Sequence, residues 1–143
     1  MSSRNPRPGH PSRSRLTDDD FRELLRFRDA LRRFQHWSED QARAAGLTPA
    51  QHQLLLAVRG HDGDPTIGAV AEHLMLRHHS AVELVDRAER AGLLRRRTDP
   101  DDRRVVHLEL TADGEAHLAT LAAAHLAELR RLQGGLRIPA LAG

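Results

Sequence analysis

Asp99-Pro100-Asp101-Asp102-Arg103-Arg104 places three carboxylates and two guanidiniums in six residues, two positions after Arg95-Arg96-Arg97. An arginine presents a planar fork of donors suited to a phosphate or a base edge. An aspartate two residues before it can orient that fork through a charge-assisted bond. Proline fixes φ and aspartate caps its own backbone, so the stretch also carries turn chemistry. It reads as the tip of a β-hairpin. Leu93 to Arg97 runs out, Thr98 to Arg103 turns, and Arg104 to Leu110 returns. Val106, Leu108 and Leu110 alternate with Val105, His107 and Glu109, the period of a half-buried strand. A two-stranded hairpin is unstable alone and must lean on helices. Ala91-Gly92 before it reads as a helix C-cap. Thr111-Ala112-Asp113-Gly114-Glu115 after it reads as a helix start with Thr111 as N-cap.

Other chemistry is sparse. The 143 residues contain no cysteine, which excludes disulfides, thiolate metal sites and a cysteine redox switch within the chain. There is no Gly-rich phosphate loop, no G-x-S-x-G and no H-E-x-x-H, so no enzyme constellation forms and no cofactor is called for. Ten histidines raise a metal-sensor alternative, with His73, His78, His79, His107, His117 and His125 as candidates. None of them forms a tight ligand spacing, and the favoured reading is scattered surface and stripe histidines in a His-rich chain.

The elements that must position the hairpin are helical. Aromatics make up only 3%, so the core is Leu, Val and Ala. Thr17-Asp18-Asp19-Asp20 is a capped entry with acids in the first turn, and that helix is predicted to run to about Ala45, with Gly46 as its stop. Phe21, Leu24, Leu25, Leu31, Phe34 and Trp37 form a broad stripe on it. A helix that outruns its own core packs on something else, most simply a second copy of the chain. Thr48-Pro49 opens a second helix, with Leu54, Leu55, Ala57 and Val58 as its apolar face. Thr66 caps a short third helix to Leu74. A turn through Met75-Leu76 leads to a fourth from Arg77 to Ala91, with Ala81, Val82, Leu84, Val85 and Ala88 inward. Two short helices across a tight turn have the helix-turn-helix shape. A last helix runs from Thr111 to about Gln133, with Leu118, Leu121, Ala122, Leu126, Leu129 and Leu132 on one face, broken by Gly134-Gly135.

Charge is local rather than global. All 22 basic residues are arginine. Taking the four arginines of residues 1–15, which include no acid, away from a net charge of +2 leaves −2 for the rest. A nucleic-acid face must therefore come from clustering. Residues 1–15 cannot bury enough to order themselves and read as a disordered tail or a basic arm touching phosphates. No apolar run approaches the roughly 20 residues of a membrane span, and the N-terminus has no apolar signal core. The expectation is a cytoplasmic protein without membrane contact.

The order of elements, with three motifs, resembles the MarR family of bacterial transcription regulators. Ile67-Gly68-Ala69-Val70-Ala71-Glu72-His73-Leu74 is similar to the family's I-x-x-L-A-x-x-L helix. Val85-Asp86-Arg87-Ala88-Glu89-Arg90-Ala91-Gly92-Leu93-Leu94-Arg95-Arg96 is similar to its V-D-R-L-E-x-x-G-L-V-x-R stretch. Asp99 to Arg104, followed by Leu108 to Gly114, is similar to its wing signature. The resemblance covers roughly residues 17–133 and implies a homodimer on double-stranded DNA. The recognition helix would enter the major groove, with Arg77, His78, His79, Ser80 and Arg87 facing DNA, while Glu83 either accepts from a cytosine amino group or points away. Arg104 would enter a minor groove, oriented by Asp102, while Arg103, Arg95 and Arg97, with Arg96 between them, would neutralise phosphates; a solvated strand is the other reading of Arg95 to Arg97. Where relatives carry P-S-T-V-T-R, this chain has His78-His79-Ser80-Ala81-Val82-Glu83. The resemblance also implies a small-molecule effector pocket, here Trp37, His52 and Leu55, although Trp37 as plain core is the competing reading. Relatives usually carry a further C-terminal helix, so dimerisation is expected to rest on Phe21–Ala45 against Leu118–Leu132 and the tail Leu136–Leu141.

The expected architecture is mainly α with a small β-hairpin, a winged helix-turn-helix flanked by long N- and C-terminal dimerisation helices. A disordered basic tail covers 1–16, the N-terminal dimerisation helix 17–47, the DNA-binding domain 48–110, and the C-terminal dimerisation helix and tail 111–143. The expected function is a sequence-specific DNA-binding regulator, a repressor relieved by a small-molecule ligand. Besides the metal sensor, the alternative is a helical protein-interaction module of the same fold without specific DNA binding, suggested by Glu83 and the −2 balance.

Overall fold

A computed structural model describes residues 15–133 and Pro139. Among these the chain forms α1 (Asp18–Ala44), α2 (Pro49–Gly60), α3 (Ile67–Leu74), α4 (His78–Arg90), β1 (Leu94–Thr98), β2 (Val106–Leu110) and α5 (Ala112–Leu132). The expectations for the N-terminal tail, Arg15 and Leu16 apart, and for the segment Leu136–Leu141, Pro139 apart, lie outside the described residues.

Threonine sets the helix starts. Thr17, Thr48, Thr66 and Thr111 each accept, through the side chain, the backbone N–H three residues on. That satisfies one of the donors a helix start leaves open. Asp20 and Gln51 reach back to the cap amide, completing capping boxes at α1 and α2. At the other ends, Gly46 at φ 81° follows α1 and Gly92 at φ 74° follows α4. Glycine adopts that left-handed conformation without the steric cost other residues meet.

Two apolar clusters share α2. Leu54 and Val58 join Val70, Leu84, Val85, Ala88, Leu94 and Leu108, which ties α3, α4 and the hairpin together. Leu55 points the other way, into Ala42, Leu47, Leu93, Leu118 and Leu121, which ties on α1 and α5. Burying each of these leucines contributes about 1.5–3 kcal/mol. α2 is thus the wall between the helix-turn-helix and the long helices.

The hairpin is antiparallel, pairing Leu94 with Leu110, Arg96 with Leu108 and Thr98 with Val106. β2 is also held by the loop before α3, where the Leu108 N–H donates to the Pro65 carbonyl at 2.9 Å. The Thr111 hydroxyl donates to the Gly92 carbonyl at 2.6 Å. Both strands begin later than the alternation predicts, at Leu94 rather than Leu93 and at Val106 rather than Arg104. The Arg104 N–H is taken by the Asp102 carboxylate and the Val105 N–H by the Asp102 carbonyl, so neither enters the ladder.

α1 is 27 residues long, about 40 Å at 1.5 Å per residue, yet Ala42 is its sole buried residue. Leu16, Phe21, Leu24 and Leu25 stand exposed at its start, as do Leu126 and Leu129 on α5. No helix among the described residues is long and apolar enough to cross a membrane.

Candidate nucleic-acid interface

The wing is built from its own carboxylates. One oxygen of Asp99 accepts the N–H groups of Asp101 and Asp102 at 2.8 and 3.1 Å. Its other oxygen accepts from His107 Nε2 at 2.8 Å. These bonds hold the Asp99 carboxyl below the usual carboxylate range, the imidazole first and the two amides after it. Asp102 in turn accepts from Arg104 Nε at 3.1 Å and from Nη2 at 3.2 Å. This lowers the Asp102 pKa, the guanidinium being the larger cause and the Arg104 N–H the second. The Arg104 side chain remains 90% exposed. An oriented, solvent-facing guanidinium at a loop tip is suited to insertion into a narrow anionic cleft.

The remaining arginines divide. Arg103 is exposed and makes no ion pair among the described residues. Arg95 pairs with Glu109 at 2.6 Å, and Arg97 pairs with Asp64 at 3.2 Å. Their positive charge is therefore partly spent inside the fold, which tempers the phosphate-neutralising role expected from the sequence. Arg96 faces inward and bonds Asp86 at 2.5 Å and Glu89 at 2.7 Å on α4. Asp86 is the main cause of its raised pKa. Arg96 fastens the wing to α4 and is withdrawn from the phosphate-facing set.

α4 presents an outer face. Arg77, His78, His79, Glu83 and Arg87 are exposed, and Ser80 is half-buried. Ala81, Leu84, Val85 and Ala88 face the core. Its N-cap is Arg77 with no side-chain cap bond, whereas the other four helices begin on threonine. Its first N–H groups are therefore left for an outside acceptor, and the end of a helix favours an anion there. The turn into α4 runs through Met75 at φ 55°.

A second feature lies where α1, α2 and α5 meet. The His125 Nδ1–H donates to the Leu121 carbonyl at 2.7 Å, which leaves Nε2 to accept from the Ser38 hydroxyl at 2.6 Å. Trp37 and His52 lie 4.8 and 4.7 Å from the His125 ring. Burial, and then the neighbouring His125, lower the His52 pKa. Trp37 lines a cavity of about 490 Å³ between α1 and α5, with Arg26, Arg33, Phe34 and Arg131. His52 lines a separate one of about 300 Å³ with Phe34, Gln35 and Ser38. Leu55, expected beside them, is fully buried in the second cluster and lines neither. Helical spacing could not distinguish the two sides of α2 on which Leu54 and Leu55 fall. Ser38 and His125, 87 residues apart, were not expected to meet.

The six candidate histidines do not gather at one site. His107 bonds Asp99, His117 bonds the Asp113 carbonyl, and His125 bonds Ser38. No three His, Asp or Glu side chains among the described residues converge on a metal position.

A helix-turn-helix with a basic-tipped hairpin packed on its second helix defines a winged helix-turn-helix protein. A family model described as the MarR family matches residues 45–105. The HTH-type transcriptional repressor MdtR of Bacillus subtilis (strain 168) is 30% identical over 86 residues, 60% of this chain and 55% of that protein. The chain spans about half the length of the curated relatives it matches. Among solved structures, AbsC, a MarR family transcriptional regulator from Streptomyces coelicolor, is 25% identical with a TM-score of 0.70, over 88% of this chain and 86% of that one. An S. aureus MepR mutant bound to an oligodeoxyribonucleotide shares the fold, with a TM-score of 0.65 at 19% identity over 80% and 83% of the two chains. Residues 45–105 thus match the MarR family, and the described chain shares the fold of MarR family regulators.

Proposed function

We propose that this protein is a sequence-specific DNA-binding transcriptional regulator that acts as a homodimer. The observation that carries the reading is Arg104, gripped by both oxygens of Asp102 and still 90% exposed. A guanidinium fixed in direction but open to solvent is pre-ordered for a minor groove. The exposed, uncapped start of α4 supplies the second contact, with Arg77, His78 and His79 reaching phosphates or base edges and Glu83 able to accept from a cytosine amino group. Exposed Arg87 and Arg103 add positive charge, and Arg95 and Arg97 contribute what their partners leave over. The exposed apolar residues of α1 and α5 are the surface a second copy would cover.

The finer reading is a repressor relieved by a small ligand. The cavity beside Trp37 gives that ligand a place, and a ligand wedged between α1 and α5 would change the spacing of the two recognition helices. A fluorescence-anisotropy titration tests the DNA reading, using the promoter beside the protein's own gene against a scrambled duplex at two salt concentrations. Tighter, steeply salt-dependent binding to the promoter is expected. Equal weak binding to both there and across a genome-wide selected pool would reject it in favour of a protein-interaction role.

A further inference from the structure

His61 and His73 are twelve residues apart and meet across the turn from α2 to α3. Their Nδ1 and Nε2 atoms are 2.9 Å apart. The rings stand 5.2 Å apart and nearly perpendicular, at 79°. We propose that this pair is a two-imidazole site for a borderline divalent transition-metal ion such as Zn²⁺ or Ni²⁺.

The geometry is close to that of two ligands on one ion. With metal–nitrogen bonds of about 2.0–2.1 Å, two nitrogens of a tetrahedral set lie roughly 3.3 Å apart. The pair needs to open by only a few tenths of an ångström. Without metal, two neutral imidazoles in this position share one hydrogen, one N–H donating to the other's lone pair. With metal, both lone pairs face the ion. The donor ring moves its proton to its other nitrogen, so two neutral imidazoles bind and no net proton is released. Imidazole suits Zn²⁺ and Ni²⁺ and selects against the hard, oxygen-seeking Mg²⁺ and Ca²⁺.

The surroundings permit it. Neither imidazole has another side-chain partner among the described residues. A cavity of about 420 Å³ opens beside the pair, lined also by Gln53, Leu56, Ala57 and Leu74, so an ion and its waters can approach. Exposed Asp62 and Glu72 are sequence neighbours of the two histidines and add negative charge. No third His, Asp or Glu among the described residues completes the set. The chain supplies two ligands, and water would fill the remaining positions of a bound ion.

The mechanical consequence is a clip. His61 is the C-cap of α2, and His73 sits in the last turn of α3. A metal across them would pin the first helix of the helix-turn-helix to α2. Because metal binds the folded pair and not the separated histidines, it would raise the melting temperature.

The test is a calorimetric titration of tag-free, full-length protein, dialysed free of chelator, with ZnCl₂ and separately NiCl₂, alongside thermal melts. One saturable site per chain and a raised Tm are expected. His61→Gln and His73→Gln should each abolish the site, while His79→Gln keeps it. Imidazole ¹⁵N spectra of the unsubstituted protein check the assignment without relying on any variant's folding. The His61 and His73 signals should shift on adding Zn²⁺ and the others should not. No saturable binding, wild-type binding in both Gln variants, or shifts confined to other histidines would overturn the proposal. None of these readouts depends on DNA.

Discussion

Asp102 grips Arg104 with both carboxylate oxygens, at 3.1 and 3.2 Å, while leaving 90% of the Arg104 side chain in solvent. The contact restrains direction without burying charge. Arg104→Ala is expected to weaken DNA binding by about 1–3 kcal/mol, read as anisotropy at fixed salt. Asp102→Asn gives the sharper result. Deleting an acid from a tip proposed to meet DNA should tighten binding if only net charge mattered. If Asp102 acts by orienting Arg104, binding weakens instead, and unchanged or tighter binding would refute the orienting role.

Wing stability should follow the acids. Asp99 and Asp102 titrate below their ordinary value of 3.8 in the folded chain, because His107 and Arg104, with nearby amides, stabilise their charged forms. The unfolded chain therefore takes up these protons first. The stability they contribute is present above that value and is lost as pH falls through the lower, folded values. Both groups are only half-buried, so the effect is modest and partly screened by salt. Urea unfolding of wild type and Asp99→Asn should differ at about pH 5 and converge toward about pH 3. A gap that widens in acid would contradict this.

Much of this architecture was legible because its punctuation is local. The four threonine caps, Pro49, Gly46 and Gly92 act within one helical turn, and each boundary they predict falls within a residue or two of the observed one. The wing signature likewise carries its own turn chemistry. What escaped depends on which distant side chain arrives. The arginine run gives no sign that Arg96 turns inward to Asp86 while Arg95 and Arg97 turn out. Period-two alternation gives the face, but the acids on α4 decide what Arg96 does there. The Ser38–His125 bond and the His61–His73 pair are set by helix packing, and no spacing rule encodes them.

Gly114 is fixed by a close approach rather than by φ. A Cβ built on it would lie 1.9 Å from the Leu93 carbonyl oxygen, which is backbone and cannot swing aside. The first turn of α5 is pressed there onto the start of the hairpin, beside the Thr111 N–H bond to the same carbonyl at 3.1 Å. Alanine has the higher helix propensity, yet Gly114→Ala should destabilise by about 1–3 kcal/mol or more through overpacking. Chemical denaturation decides between the two effects, and a stabilised variant would show that α5 is free to shift.

The long helices bear on assembly. Phe21, Leu24 and Leu25 are 57%, 50% and 59% exposed and belong to neither apolar cluster. Charging them should therefore leave the single chain folded. Leu24→Glu with Leu25→Glu is expected to convert a dimer to a monomer in sedimentation velocity, with helix content per residue retained. Leu118→Ala is the contrasting case. Leu118 is buried with Leu55 and Ala42, so its truncation should cost about 2–5 kcal/mol of stability. Loss of the dimer should in turn lower affinity for a palindromic site far more than for a half-site. Two recognition helices must reach major grooves about 34–36 Å apart, and a monomer supplies one. A double variant that still sediments as a dimer would move the interface away from the start of α1.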